Sequence, residues 1–349
     1  MSTLEDAPSL TDVDALTSWL DTEGLGAGPL DHRFISGGSQ NHIYELRRDD
    51  LHCVLRVPPP TAAPDRDKGI VREWRIVEAL TGTDVPSAPA VALCTDSSVL
   101  GRTFYLMGFV DGWSPMELVD RKWPEPFDSD PEQRRELALQ LVEGAALLSN
   151  VDWQAKGLHD LGRPDGFHER QVDRWSAFYE RVKTRELPGF DEAAAWLRSH
   201  KPLDYVPGIM HGDYQFANVM YRHGGPARLA SILDWEMGTV GDPKLDLAWV
   251  VHAWPDDPDR TQAISYVDYR GMPTRDELLA HYEKVSGRQV DDIDYYCVLA
   301  KWKLAVVLEQ TVSRGGRKAE AFAPIVKGLM AEAGELAASV GYTGCNTPK

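Results

Sequence analysis

The chain has 349 residues, with 54 acidic against 37 basic side chains and a formal net charge of -17. Nucleic acid is therefore excluded as an expected partner, because phosphate binding needs a basic surface; a cationic small molecule is compatible, but ordinary solubility charge is the better account of the balance. Hydrophobic residues make up 43% of the chain without forming any run long enough to span a membrane.

The start, "MSTLEDAPSL", is acidic and lacks the basic-then-apolar order of a signal peptide. Cys53, Cys94, Cys297 and Cys345 lie far apart with no C-x-x-C, which argues against a zinc site or disulfide framework. A cytoplasmic protein of two domains or lobes is the expectation.

In chain order, the first predicted element is a short helix over 11–22, with Thr11 as N-cap and Leu16, Trp19 and Leu20 as its apolar face. Strands follow at Arg33 to Ser36, His42 to Leu46 and His52 to Val57, separated by the turn formers "GGSQN" and "RRDD". A helix from about Asp67 to Leu80 carries Ile70, Val77 and Leu80 at helical spacing, with Trp74 beside them. Glu73 falls on the same stripe, where a carboxylate without a partner is costly. Strands near Ala90 to Cys94 and Thr103 to Phe109 complete a mostly antiparallel first third.

From Pro131 the pattern turns helical. Asp130-Pro131 is a cap and first-turn signal, and Leu137, Leu141, Ala145 and Leu148 follow at helical spacing. Further helices are predicted at roughly 170–185, 191–199, 246–253, 275–286 and 293–312, with an Ala-rich stretch to about Val340. Two short strands, 208–210 and 219–221, flank the polar loop of "IMHGDYQFANVMY", and "RLASILD" forms another. The predicted fold is α+β: a small antiparallel-sheet lobe, 1–110, and a large, mainly helical lobe, 111–349. The junction near Asp111-Gly112 is expected to form a cleft.

Phosphoryl transfer needs a cation on the phosphates, magnesium on oxygen ligands, and a residue that orients the acceptor hydroxyl. Asp213 suits the last role. Asn218 offers a neutral oxygen to the metal, and Asp234, at the end of the apolar run "ASIL", a harder anionic one. Arg56, on the third strand, could reach the phosphates and pair with Glu73, which explains both awkward residues. His211 reads as a brace for the loop backbone rather than a base, and Asp242 and Asp246 as an anchor and helix cap rather than metal ligands. "WPDDPDR", 254–260, reads as a solvated loop first and as a border of the acceptor site second. Tyr214 to Ala217, the middle of the polar loop, is the stretch expected to face the acceptor.

No G-x-x-x-x-G-K-[ST] loop is present, which excludes a P-loop kinase, and no G-x-G-x-x-G, D-F-G or A-P-E argues for a protein kinase. The order H-x-D-x-x-x-x-N, followed sixteen positions later by Asp234, nevertheless parallels the protein-kinase catalytic loop and metal-binding Asp. With "ILDWE" and "GDPKLDLAWV" it resembles the aminoglycoside phosphotransferase family of small-molecule kinases, which has the bilobal protein-kinase-like fold.

"ISGGSQNHIYEL" is similar to that family's nucleotide-positioning hairpin, "CVLRVPP" to its third strand, "REWRIVEAL" to the helix with the partner Glu, and "FYLMGFVDG" to its linker. The resemblance implies Mg2+ and ATP as cofactors. Gly37, Gly38, Ser39, Arg56, Glu73 and Phe109 would lie at the nucleotide, Asn218 and Asp234 at the metal, and Asp213 would be catalytic. The flanks "LTSWLDTEGL", "GLHDLGRPDGFHERQVDRW" and "YYCVLAKWKLAVVLEQ" look like the branch related to the kinase-like domain fused to acyl-CoA dehydrogenases. In that branch the implied small-molecule acceptor is a hydroxyacyl-type metabolite. The sequence departs from its relatives at Ser149 and Gln215, which bear on the acceptor pocket. A nucleotide-binding pseudokinase and a true antibiotic kinase are the alternatives.

Overall fold

The computed structural model describes residues 9–37, 41–118, 122–259 and 267–343. Helix α1 (Val13–Thr22) is capped by Asp12 rather than the expected Thr11. The Asp12 carboxylate accepts the Ala15 amide at 2.9 Å, a reach of three residues that Thr11 would miss by one. The helix therefore covers 13–22 and not 11–22.

Strands β1 (Asp31–Gly37), β2 (His42–Arg47), β3 (His52–Val57), β4 (Ala90–Cys94) and β5 (Phe104–Gly108) form one antiparallel sheet in the order β1-β2-β3-β5-β4. One face buries Leu46, Cys53, Leu55, Phe104 and Leu106 against α1. Trp19 of α1 meets Phe104 edge-on, with ring centroids 5.0 Å apart.

Helix α2 (Arg66–Leu80) joins the two lobes through its two halves. Ile70 and Trp74 pack against Tyr105 of β5, whereas Ile76, Val77, Ala79 and Leu80 enter the large helical core. The short helix α3 (Ser97–Leu100) closes the β4–β5 connection.

The large lobe contains α4 (Pro131–Ser149), α5 (Phe167–Val182), α6 (Phe190–Ser199), α7 (Lys244–Val251), α8 (Arg275–Ser286), α9 (Ile293–Ser313) and α10 (Gly316–Thr343). Asp130 caps α4 as expected, accepting from Glu132 and Gln133. Helix α5 begins three residues before its predicted start, because Phe167 and His168 bury its first turn. No helix among the described residues is long and apolar enough to cross a membrane.

The remaining strands are β6 (Gly208–Met210), β7 (Val219–Tyr221), β8 (Leu229–Ile232) and β9 (Thr239–Gly241). The two that flank the polar loop do not pair with each other. Instead β6 pairs with β9, and β7 with β8, both antiparallel. The loops 211–218 and 233–238 are thereby set side by side. The chain segment between the lobes presses on β7, where Trp113 and Tyr221 exchange backbone hydrogen bonds. Gly112 permits that approach: a Cβ there would lie 2.5 Å from the Tyr221 carbonyl oxygen.

Candidate functional site

Arg56 projects from β3 and is 8% exposed. Its Nε lies 2.7 Å from Glu73 Oε2, the pairing expected from the two sequences. Its Nη2 donates to Asp234 Oδ1, also at 2.7 Å. Arg56 thus bridges a carboxylate of α2 to one 178 positions along the chain from itself. Glu73 is 1% exposed and takes a second guanidinium, Arg66 Nη2, at 2.7 Å on Oε1. Arg66 was missed in the sequence, although it precedes Glu73 by seven residues, two helical turns along the same face. Burial raises the proton affinity of the Glu73 carboxyl despite both arginines. Burial also works against the Arg56 charge, but Tyr105, Glu73 and Asp234 more than offset it and the guanidinium is held firmly protonated.

Across from this network stands the loop after β6. Asp246 lies within α7 at 1% exposure, and its two oxygens accept the His211 amide at 2.5 Å and the Gly212 amide at 2.8 Å. His211 Nδ1 accepts the Asp213 amide at 3.3 Å, so the ring proton sits on Nε2 and is donated to the Leu233 carbonyl at 2.6 Å. With both nitrogens used, His211 ties its loop to the segment carrying Asp234. Gly212 has φ +86°, and a Cβ there would press on the Met237 carbonyl oxygen at 2.8 Å. Trp235 is buried and packs on His211 with ring centroids 4.9 Å apart. Asp234 itself has φ +61°, a strained conformation for a residue with a Cβ.

Asp213 is half-buried. Its Oδ1 accepts from Gln215 Nε2 at 2.8 Å and its Oδ2 from Asn218 Nδ2 at 3.0 Å. Burial raises the Asp213 carboxyl above the usual carboxylate range, with His211 and the two amides opposing. The Asn218 nitrogen also donates to the Asp213 carbonyl at 2.8 Å. Two acceptors on one nitrogen fix the amide's orientation and turn its Oδ1 the other way.

That oxygen and the half-exposed Asp234 carboxylate form a hard-oxygen donor set suited to a magnesium ion. Among the described residues no cluster of three or more His, Cys, Asp and Glu could hold a metal alone. The set fits an ion completed by a ligand's phosphates.

Arg56, Asn218 and Asp234 line one cleft of about 470 Å³, closed on its apolar side by Ile35, Val54, Ala88 and Met107. Phe109 lines it too, but its amide is committed to the His52 carbonyl and its ring stacks on His52 at 4.0 Å. Gly37 ends β1 opposite His42. Gly38 and Ser39 lie outside the described residues.

A second cleft, of about 710 Å³, opens at Gln215 and Phe216 between α7, α9 and α10. Trp249, Trp254, Leu304, Leu308 and Leu329 give it apolar walls, and Asp256, Lys301 and Glu332 line it as well. Trp254 is buried, so the stretch expected to be a solvated loop begins instead inside this wall. Tyr214 also departs from expectation. It turns into the core and donates to the Leu141 carbonyl at 2.7 Å, leaving Gln215 and Phe216 to face the cleft. Ser149 is buried and donates to its own helix at Ala146. Asp242 accepts the Lys244 amide ahead of α7 and binds His168 and Tyr296, as an anchor does.

Comparison with known proteins places the chain in a family. The profile of the phosphotransferase enzyme family (APH) matches residues 31–281. Acyl-CoA dehydrogenase family member 11 of Gallus gallus is 29% identical over 331 residues, 91% of this chain and 42% of that protein. Member 10 of Mus musculus is 28% identical over 310 residues, 86% of this chain and 28% of that protein. The chain thus spans less than half the length of these relatives.

A crystal structure from Ralstonia eutropha JMP134, provisionally assigned as an aminoglycoside phosphotransferase, superposes with a TM-score of 0.79 at 30% identity. It covers 94% of this chain and 98% of its own. The macrolide 2'-phosphotransferase MphH of Brachybacterium faecium shares the fold at 20% identity with a TM-score of 0.60, over 92% and 97% of the two chains. The protein is a member of the phosphotransferase enzyme family, with that family's bilobal protein-kinase-like fold.

Proposed function

We propose that the protein is a kinase that moves the γ-phosphoryl group of ATP to a hydroxyl of a small molecule, with Mg2+. The observation that carries this reading is the ion chain Glu73–Arg56–Asp234 along one wall of a cleft, with the Asp213–Asn218 pair on the adjoining loop. The apolar slot at Val54, Ala88 and Met107 suits a purine, and Ile35 and Ser36 of β1, the strand that ends at Gly37, line the same cleft. A solved relative of the same fold, APH(4)-Ia at 12% identity, was crystallised with ADP and hygromycin B. We place the seam between a nucleotide-binding lobe, 1–110, and the helical lobe, 111–349, at Gly112.

Arg56, fixed by Glu73, meets the terminal phosphates as a charged fork. A divalent cation held by Asn218 Oδ1 and Asp234 would neutralise charge on the phosphate oxygens. Asp213 orients the acceptor hydroxyl and takes its proton on a carboxylate oxygen. Because the transition state is loose, positioning matters more than early deprotonation. Gln215 holds that carboxylate from the side of the second cleft.

The apolar side chains of that cleft suit an acceptor with an aliphatic body, such as a hydroxyacyl compound, while Asp256 and Glu332 beside them keep a cationic sugar as the alternative. ADP release should be measured across hydroxyacyl-CoAs, free hydroxy acids, sugars and aminoglycosides with Mg-ATP, for the wild type and Asp213→Ala. Turnover that is equal in both would sink the assignment of Asp213. Binding of Mg-ATP without turnover on any acceptor would favour a nucleotide sensor.

A further inference from the structure

A further cleft, of about 850 Å³, lies apart from both clefts above and shares no lining residue with them. It is walled by α2, α5, β9 and the segment 160–163. Four arginines face it: Arg72 from α2, Arg163, and Arg170 and Arg174 from α5. In a chain of net charge -17, four guanidiniums on one cleft, beside the three carboxylates of Asp160, Glu169 and Asp173, need a reason.

The acids of the same wall do not supply one. Asp160 is held by Arg75 at 2.6 Å, Glu169 by Lys201 at 3.2 Å and Asp173 by Arg198 at 3.0 Å, and none of these cations lines the cleft. The cleft's own arginines, among the described residues, form no ion pair with a carboxylate. Arg72 donates through two nitrogens to the Gly238 carbonyl, and Arg170 to the carbonyls of Asp165 and Arg163. Arg174 lies over the Trp175 ring at 5.6 Å. Carbonyls and an indole face orient guanidiniums but do not neutralise them. The proton affinity of Arg72 is lowered by burial and then by neighbouring Arg75 and Arg174, with Asp160 opposing.

We propose that this cleft is a binding site for a small polyanion carrying two or more phosphate groups, separate from the nucleotide cleft. Planar guanidiniums from several sides match phosphate oxygens bidentately, and the volume holds a diphosphate with a small organic group. Arg72 connects the site to the Gly238 carbonyl, four residues after Asp234, so an occupant lies one side chain from the loop that carries that carboxylate.

Inorganic tripolyphosphate is the probe, titrated calorimetrically into the full chain at low ionic strength. Wild type, the surface double variant Arg163→Ala/Arg174→Ala and the nucleotide-cleft variant Arg56→Ala are compared, each checked for folding by thermal melt. The double variant should bind at least tenfold more weakly, with its melting temperature and basal ADP release kept, while Arg56→Ala keeps the arginine-cleft affinity within about twofold. Unchanged affinity in the double variant, binding lost only in Arg56→Ala, or no binding by wild type at millimolar concentration would each overturn the proposal. Tighter binding of a poly-glutamate peptide than of tripolyphosphate would overturn the small-polyanion assignment. The binding outcomes do not depend on whether the acceptor reaction is found.

Discussion

Asp213 and Asp234 sit on adjoining loops and are held by opposite means. Asp213 is half-buried and receives two neutral amides, from Gln215 and Asn218, while burial raises its proton affinity. Asp234 is half-exposed, receives a full charge from Arg56, and carries its strain in the backbone instead. Neutral donors position a carboxylate without extinguishing its basicity, whereas a cation keeps one anionic and ready to exchange its partner for another. One arrangement suits a proton acceptor and the other a metal ligand.

Asp213→Ala tests that contrast most severely. It should lower kcat by about 10²- to 10⁴-fold and leave the melting temperature near wild type; ADP release and thermal unfolding measure the two together. Next in size is Glu73→Ala, which leaves Arg56 and Arg66 buried without their shared carboxylate. Breaking a buried pair on one side costs about 3–5 kcal/mol, read as a fall in denaturant midpoint, and Asp234 should lose its fixed partner in the same step. An unaltered midpoint would mean that Glu73 does not organise the network.

Asp246→Ala acts first on the Asp213 side. It orphans the buried His211 and Gly212 amides at about 1–3 kcal/mol each, and should reduce kcat more than it raises the KM for ATP. Gln215→Leu has the smallest expected effect and the sharpest sign. An Asp213 carboxyl raised above its ordinary range must lose its proton to work, so activity falls on acidification at a higher pH than an ordinary aspartate would give. Gln215 lowers that proton affinity. Removing it should therefore move the acidic limb of kcat/KM further up in pH, and a limb moving down would break the assignment.

Much of this was legible from spacing. The β4, α8 and α4 boundaries follow from apolar periodicity and from Asp130-Pro131, signals carried within the element itself. The Glu73 partnership was legible because a carboxylate on an apolar stripe demands a cation. The Arg56–Asp234 contact was not, since no local signal joins residues 178 apart. Nor was the pairing of β6 to β9: three-residue strands are too short for their alternation to name a partner. Tyr214 was misread for a related reason, because in a turn between strands nothing in the sequence says which side chain faces inward.

That strand pairing has a consequence for how the site comes into being. Since β6 waits for β9 and β7 for β8, neither loop can be clamped at both ends until the chain has delivered residues 208 to 241 together. A nascent chain stopped after Tyr221 would hold one loop flapping on a single hinge, and no half-site would exist to bind anything. Breathing of the finished molecule obeys the same constraint in reverse. Backbone amides of both loops should exchange with solvent through one shared opening event, a single cooperative unit rather than two.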